Sequence, residues 1–123
     1  MKRLVPFVLA ALMATPASAF IATNGMVVER TGPTEFFVPY RGQSAPQAFW
    51  CAAGQYAWQE LGMNTGRIWR LSPPRRRSGE GILFSLRLEG AARDTGLLLI
   101  GGDRGSLSVT LARKLCERPE DRR

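Results

Sequence analysis

Residues 44–62 have the sequence SAPQAFWCAAGQYAWQELG, which predicts the main helix of the protein. Ser44 and Gln47 are spaced as in a capping box, and Pro46 is tolerated in a first helical turn. The helix is therefore expected over about 45–61, and the glycine that follows marks its end. Apolar side chains at helical spacing form a single stripe on it: Phe49, Ala53, Tyr56, Ala57 and Leu61.

Within this helix, Gly54 is an unfavourable residue on propensity alone. Glycine costs about 1 kcal/mol relative to alanine in a helix interior. We therefore expect another part of the chain to pack closely against the helix at this position.

Short alternating segments on either side of the helix predict strands. The chain before Met26 reads as an irregular lead-in, and the predicted strands are 26–30, 35–40, 67–71, 82–88 and 97–100. Pro39 places the second strand at a sheet edge, because proline donates no ladder hydrogen bond. In the fourth strand Ser85 is expected to face solvent, and the residues expected to face the core are Ile82, Phe84, Leu86 and Leu88.

The C-terminal residues fit two patterns. Leu107, Val109 and Leu111 alternate as in a strand, whereas Leu107, Leu111 and Leu115 recur as in a helix. We interpret 108–117 as a helix, because the basic residues that follow would end it naturally.

The amino terminus has the features of a bacterial secretory signal peptide. Lys2 and Arg3 supply positive charge, and an uncharged apolar stretch follows. Ala17 and Ala19 occupy the small-residue positions of a cleavage site, so cleavage is expected after Ala19. The apolar stretch is shorter than the roughly 20 residues that span a membrane, so a membrane anchor is not expected.

These segments predict an α+β protein: a small, mostly antiparallel sheet packed by the main helix and a C-terminal helical segment. Removal of the signal peptide, 1–19, leaves one exported domain, 20–123, that ends in a flexible tail, 118–123. Cys51 and Cys116 are the only cysteines. An even count in an oxidising compartment indicates one disulfide between them, and a pair of buried free thiols is the alternative.

The sequence carries 17 basic and 10 acidic side chains, a formal net charge of +7. This balance favours anionic partners, although it also serves ordinary solubility. Arg75, Arg76 and Arg77 form the densest run, on a loop that two prolines introduce. We interpret the run as a candidate anion or partner site, with a solvated loop as the competing interpretation. Four nearby residues would extend the site: Arg67, Trp69, Arg70 and Arg87.

Several kinds of chemistry have little support. The chain has no histidine, the usual base beside a serine or cysteine nucleophile. It has no His/Cys cluster of the kind that binds metals, so neither a metal nor a cofactor is expected. Glu60 and Glu80 are the carboxylates that a glycan-cleaving pair would use. The glycine-rich residues 101–106 resemble a phosphate-binding loop only weakly, since Asp103 would repel a phosphate, and a tight connection is expected.

Four aromatic residues are candidates for a sugar-stacking platform: Trp50, Tyr56, Trp58 and Trp69. Aromatic residues at helical spacing more often belong to a core. Trp58 lies off the apolar stripe, and we expect its ring to be exposed.

Three segments carry a resemblance to a known group of proteins. Residues 48–57 read AFWCAAGQYA, residues 68–72 read IWRLS, and residues 78–86 read SGEGILFSL. Together they resemble small exported proteins of alphaproteobacteria, and the likeness covers most of the chain after the signal peptide. No activity is assigned to that group. The resemblance therefore implies export and a Cys51–Cys116 pair, and it implies no functional residue.

The sequence thus predicts a non-enzymatic binding or interaction module of the bacterial periplasm or exterior, with a basic loop. Its partner would be an anionic component of the cell envelope or another exported protein. No specific nucleic-acid motif and no transmembrane segment follows the signal peptide. Two further hypotheses stay open: an inhibitor of a secreted or cell-wall hydrolase, and a carboxylate-dependent enzyme acting on an anionic glycan.

Overall fold

The computed structural model of the chain describes residues 19–43, 45–71, 79–97 and 103–117. Within them the fold consists of short strands and two helices. The strands are β1 (Phe20–Ile21), β2 (Val27–Arg30), β3 (Glu35–Val38), β4 (Arg67–Arg70), β5 (Ile82–Ser85) and β6 (Ser106–Ser108). The helices are α1 (Pro46–Gln59) and α2 (Val109–Lys114).

All neighbouring strands are antiparallel, in the order β1-β2-β3-β5-β4-β6. With one main helix and a C-terminal one, this sheet confirms the α+β class. The residues expected to form an irregular lead-in include β1, in which Phe20 is paired with Val28. Gly25 lies in the turn between β1 and β2 with a φ of +86°, a left-handed conformation that favours glycine.

The position of β3 differs from the expectation. This strand lies between β2 and β5, in the interior of the sheet and not at its edge. It ends at Val38, so Pro39 stands just beyond the ladder and its missing N–H interrupts no hydrogen bond of the strand. The proline therefore limits the length of the strand and says nothing about its neighbours.

The core lies between α1 and the face of the sheet that carries Phe36 and Phe84, which are paired in register. The Trp50 ring meets Phe84 edge-on, with 4.8 Å between centroids, and the Tyr56 ring lies 4.7 Å from Phe36. Burial raises the pKa of Tyr56, because desolvation disfavours the phenolate, while the charge of Arg30 acts in the opposite direction.

Burial on α1 extends beyond the predicted stripe. Every residue from 48 to 54 is buried, because α1 packs against the sheet on one side and against α2 on another. Leu61, the last residue of the stripe, lies beyond the helix and is exposed. Pro46 occupies the first turn as expected, and Ala45, the N-cap, provides no side-chain hydrogen bond. The predicted capping box depends on the side chain of Ser44, which lies outside the described residues, and therefore stays a prediction.

The C-terminal segment combines the two patterns that its sequence shows. Ser106–Ser108 pairs with β4 as a strand, and Val109–Lys114 follows directly as a helix. The Ser108 hydroxyl caps the helix by accepting from the N–H of Leu111 at 3.1 Å. The helix is thus shorter than the expected 108–117, and the strand pattern applies to the residues just before it.

β5 is shorter than the alternation of its sequence indicates. It ends at Ser85, which is buried against expectation, and Leu88 beyond it is 58% exposed instead of facing the core. The Ser85 hydroxyl accepts from the N–H of Arg87 at 3.0 Å. This bond closes a turn directly after the strand, so the chain leaves the sheet although its sequence still alternates. Of the strand expected at 97–100, only Leu97 lies within the described residues, in a bend.

Candidate binding site along the two helices

The predicted disulfide joins the two helices. Cys51 of α1 is bonded to Cys116, which follows the last turn of α2, and the Cα atoms are 4.8 Å apart. Cys51 is buried, whereas Cys116 is partly exposed. The bond therefore holds α2 against α1 and reaches the surface at one end of the helix pair.

The helices also meet closely at Gly54, as its place in the sequence predicts. A Cβ atom there would lie 2.8 Å from both the Cβ of Ala112 and the backbone nitrogen of Arg113. Side-chain carbons do not approach other atoms so closely in folded proteins, so only glycine fits. Its missing side chain allows α2 to lie directly on α1.

A groove, which we call the helix groove, runs between the exposed surfaces of α1 and α2. Four residues of α1 follow one another at helical spacing towards this side: Gln47, Cys51, Gln55 and Trp58. The groove has a volume of about 290 Å³, and its lining residues are Gln55, Trp58, Thr110, Arg113, Lys114 and Glu117.

Trp58 and Arg113 determine the chemical character of the helix groove. The guanidinium carbon of Arg113 lies 3.6 Å from the centroid of the Trp58 ring, which is 37% exposed. Such stacking uses the flat face of the guanidinium and leaves its in-plane N–H donors available to a ligand. Lys114, which is exposed, adds a second cation to the same groove.

The positive charge of the groove is not neutralised by an ion pair within the described residues. In that part of the chain, the salt bridge found joins Arg87 to Glu89 at 3.0 Å, on an exposed turn. Glu117 lines the groove without pairing with Arg113 or Lys114. The groove is therefore suited to an anionic group.

A second opening, which we call the disulfide cleft, adjoins the helix groove. Its volume is about 580 Å³, and its polar lining consists of Thr23, Asn24, Gln43, Gln47 and Glu117 beside the disulfide. Glu117 lines both openings. Thr23 donates its N–H to Oε1 of Gln55 at 2.8 Å, and Nε2 of Gln55 donates to the Thr23 hydroxyl at 2.7 Å. The two openings are therefore neighbours on the surface.

The described residues do not assemble the arginine site that the sequence predicts. The run 75–77 lies outside them. β4 alternates, so Arg67 and Trp69 lie on one face of the sheet and Arg70 lies on the other. Arg67 is exposed, and its Nε donates to the Ser106 hydroxyl at 2.9 Å.

Arg70 does not extend a surface patch, contrary to the expectation, because it is 1% exposed. It lies on the same face of the sheet as Ile68 and is paired in register with Phe84. Its guanidinium donates to the carbonyl oxygen of Thr95 at 2.8 Å, and the Trp50 indole N–H donates to the same oxygen at 3.0 Å. Arg70 is therefore a structural residue that holds the loop of Thr95 against the core.

Asp103 holds Thr95 from another side. Its carboxylate accepts from the Thr95 N–H at 2.8 Å, from the Thr95 hydroxyl at 2.7 Å and from the Gly105 N–H at 3.0 Å. The carboxylate thus occupies the Gly105 N–H, one of the donors of the glycine-rich segment. Gly101 and Gly102 lie outside the described residues.

Replacement of Asp103 by alanine is expected to lower the free energy of unfolding by about 2 kcal/mol, since it leaves two donors of a buried residue unpaired. That residue, Thr95, is fully buried. Urea unfolding measures the change. Asp103→Asn keeps one acceptor oxygen and should cost less, and an alanine variant as stable as the unchanged protein would refute this role.

The remaining candidates do not form one site. Glu60 follows the end of α1 and Glu80 precedes β5, and neither lines the helix groove or the disulfide cleft. Trp50 and Tyr56 belong to the core, so they are not part of a stacking platform. Trp58 is exposed, as predicted, and reaches the helix groove.

Comparison with protein-family models, curated proteins and solved structures found no match to this chain. The resemblance to exported alphaproteobacterial proteins therefore stays a prediction. Positions 1–18 of the predicted signal peptide and the tail 118–123 lie outside the described residues. Within those residues, no helix is long and apolar enough to cross a membrane, and no potential metal ligands gather in a group of three.

Sequence reasoning finds Trp58 and misses the residues around it. Gln55 lies one helical turn from Cys51 and from Trp58, on the side that the apolar stripe leaves open, so its place was readable from the sequence. Arg113 and Lys114 carried no such signal. Their segment fits both a strand and a helix, and their position depends on the contact between α2 and α1.

Proposed function

We propose that the protein is an exported, non-enzymatic binding module and that its helix groove binds an anionic ligand. The stacked pair of Trp58 and Arg113, with Lys114 in the same groove, carries this proposal. A guanidinium held on an aromatic ring is pre-organised, so less conformational entropy is lost when a ligand binds. Its planar fork of donors suits a carboxylate, sulfate or phosphate group.

The disulfide supports an oxidising compartment for this function, because such bonds persist there and are rare in the cytosol. Export with cleavage after Ala19, and residence in the bacterial periplasm or outside the cell, are part of the proposal. Phe20, the residue after the cleavage site, lies in β1 with its ring 5.7 Å from that of Tyr56. A mature chain that starts at Phe20 would keep this contact.

Two observations favour binding over catalysis. The sequence has no histidine, and both cysteines are in the disulfide, so the usual pairs of nucleophile and base cannot form. Glu60 and Glu80, the carboxylates considered for glycan cleavage, line neither opening.

The double variant Arg113→Gln/Lys114→Gln is expected to bind a heparin hexasaccharide about tenfold more weakly than the unchanged protein. Two exposed charge contacts of roughly 0.7 kcal/mol each account for a change of this size. Titration calorimetry measures the affinity. The difference should shrink as salt is raised, because salt screens exposed charges.

Arg93→Gln/Arg104→Gln is the matched control, because it removes the same charge from exposed residues outside the groove. It should retain most of the affinity, and equal weakening by both double variants would overturn the groove as the binding site. Replacement of the run 75–77 by alanine tests the arginine loop separately. A further loss in that variant would add the loop to the binding surface.

A further inference from the structure

We infer that the ligand is an acidic glycan in which charged and neutral sugar units alternate. A charged unit lies in the helix groove against Arg113 and Lys114, and neutral units continue into the disulfide cleft. This inference rests on the proposed function of the helix groove and adds the chemical class of its ligand.

The two openings together form an elongated site. Gln47, an exposed residue of α1 that lines the disulfide cleft, and Trp58, an exposed residue that lines the helix groove, are separated by about 16 Å at the rise of an α-helix. Thr23 of the disulfide cleft is hydrogen-bonded to Gln55 of the helix groove, and Glu117 lines both openings. A ligand that fills the site is therefore a short chain, longer than a single sugar or a free phosphate.

The disulfide cleft offers hydrogen-bonding groups without positive charge. Among the described residues that line it, none is basic. The Asn24 amide is held in place, since Nδ2 donates to the Ala48 carbonyl at 2.9 Å and Oδ1 accepts from the Met26 N–H at 3.1 Å. Nε2 of Gln43 donates to the Asn24 carbonyl at 2.7 Å. Fixed amides with spare donors and acceptors suit the hydroxyl and acetamido groups of neutral sugars.

Glu117 distinguishes an alternating chain from a uniformly charged one. Glu117 lines both openings, and its carboxylate would repel a chain that carries an anion on every unit. The same carboxylate accepts hydrogen bonds from hydroxyl groups. A neutral sugar next to the charged one therefore fits where a second phosphate or sulfate does not.

An extended peptide fits the site less well. Peptides are recognised by pairing with the edge of a sheet or by apolar pockets for their side chains. No described strand residue lines either opening, so a peptide could not pair with a sheet edge there. The apolar half of the cleft lining is the disulfide, two alanines and one leucine, Leu115, and so offers no deep pocket for a large apolar side chain. The exposed indole of Trp58 offers an apolar surface of the kind that packs against a sugar ring.

Three hexasaccharides of equal length test the inference by titration calorimetry. Hyaluronan is charged on every second unit, heparin on every unit, and chitohexaose on none. Hyaluronan should bind about tenfold more tightly than chitohexaose, and also more tightly than heparin at equal salt, although charge alone predicts the reverse. Affinity that simply rises with ligand charge would overturn the inference and leave the proposed function intact.

Gln47→Ala and Glu117→Gln locate the neutral units. Gln47→Ala should weaken hyaluronan binding about fivefold, the loss expected for one hydrogen bond, and leave heparin binding unchanged. Gln59→Ala is its control, because Gln59 is an exposed glutamine of α1 outside both openings.

Glu117→Gln should strengthen heparin binding, because it removes the carboxylate that repels a uniformly charged chain. Equal effects of Gln47→Ala and Gln59→Ala would contradict occupation of the cleft, and no binding of any charged probe would refute the proposed function as well.

Discussion

The variant Cys51→Ala/Cys116→Ala is expected to have a free energy of unfolding about 4 kcal/mol lower than that of the oxidised protein. The bond joins residues 65 apart in the sequence, so its removal restores much conformational freedom to the unfolded chain. Domains of this size are stable by only about 5–15 kcal/mol, so the variant would lose a large share of its stability. Chemical denaturation followed by circular dichroism measures the change.

A thiol reductant provides the control for this prediction. It should shift the unfolding midpoint of the unchanged protein towards that of the double-alanine variant and leave the variant itself unaffected. If the two proteins unfold at the same denaturant concentration under oxidising conditions, the disulfide is not a major source of stability.

Gly54→Ala is expected to lower the free energy of unfolding by about 3 kcal/mol, the upper part of the usual range for overpacking. At an exposed helical site the same change would stabilise the protein by about 1 kcal/mol. A fall in the free energy of unfolding would therefore indicate that α2 lies against α1 at this position. The new methyl group would meet the backbone of α2 at Ala112 and Arg113, and backbone atoms cannot rotate out of the way. The disulfide prevents the helices from moving apart.

Gly32→Ala is the matched control for this substitution. Its added Cβ would have the Cβ of Glu35 as its nearest neighbour, at 3.9 Å, so its stability should hardly change. In the protein without the disulfide, the cost of Gly54→Ala should fall, because α2 is then free to shift. A stabilising Gly54→Ala would show that the helices are not in the close contact described.

The parts of the fold that depend on local pattern were predictable from the sequence. The apolar stripe marks α1, and Gly54 in the interior of this helix indicates the close approach of another element. The pairing of Cys51 with Cys116 follows from their being the only cysteines in a chain whose sequence predicts export. The first two inferences use the spacing of a few residues. The third uses the fact that two cysteines can form only one intramolecular disulfide.

The arrangement of the strands was not predictable in the same way. Alternation tells which face of a sheet a residue occupies, but it does not tell which strand lies next to it. Pro39 was therefore interpreted as a sign of an edge, although it stands outside the ladder of an interior strand. The alternation of β4 places Arg70 on the same face as Ile68. Arg70 was nevertheless expected at the surface because it is charged.

The candidate site was only partly predictable for a related reason. Trp58 could be assigned to the surface because α1 alone determines which of its residues leave the apolar stripe. The cations beside it come from α2, whose helical pattern overlaps a strand pattern in the same residues. Long-range contacts between α1 and α2 bring Arg113 onto the Trp58 ring, and the spacing of residues within one segment does not encode such contacts.

The two outer strands of the sheet have a consequence for self-association. An exposed strand edge is a template onto which another chain can add, and long, flat edges promote aggregation. Here β1 has two residues, and β6 has three before the chain turns directly into α2. In the described part of the chain, each end of the sheet thus presents too few free backbone groups to seed a further strand. Among the described residues, the shortness of the outer strands therefore limits edge-to-edge pairing without charged residues placed to block it.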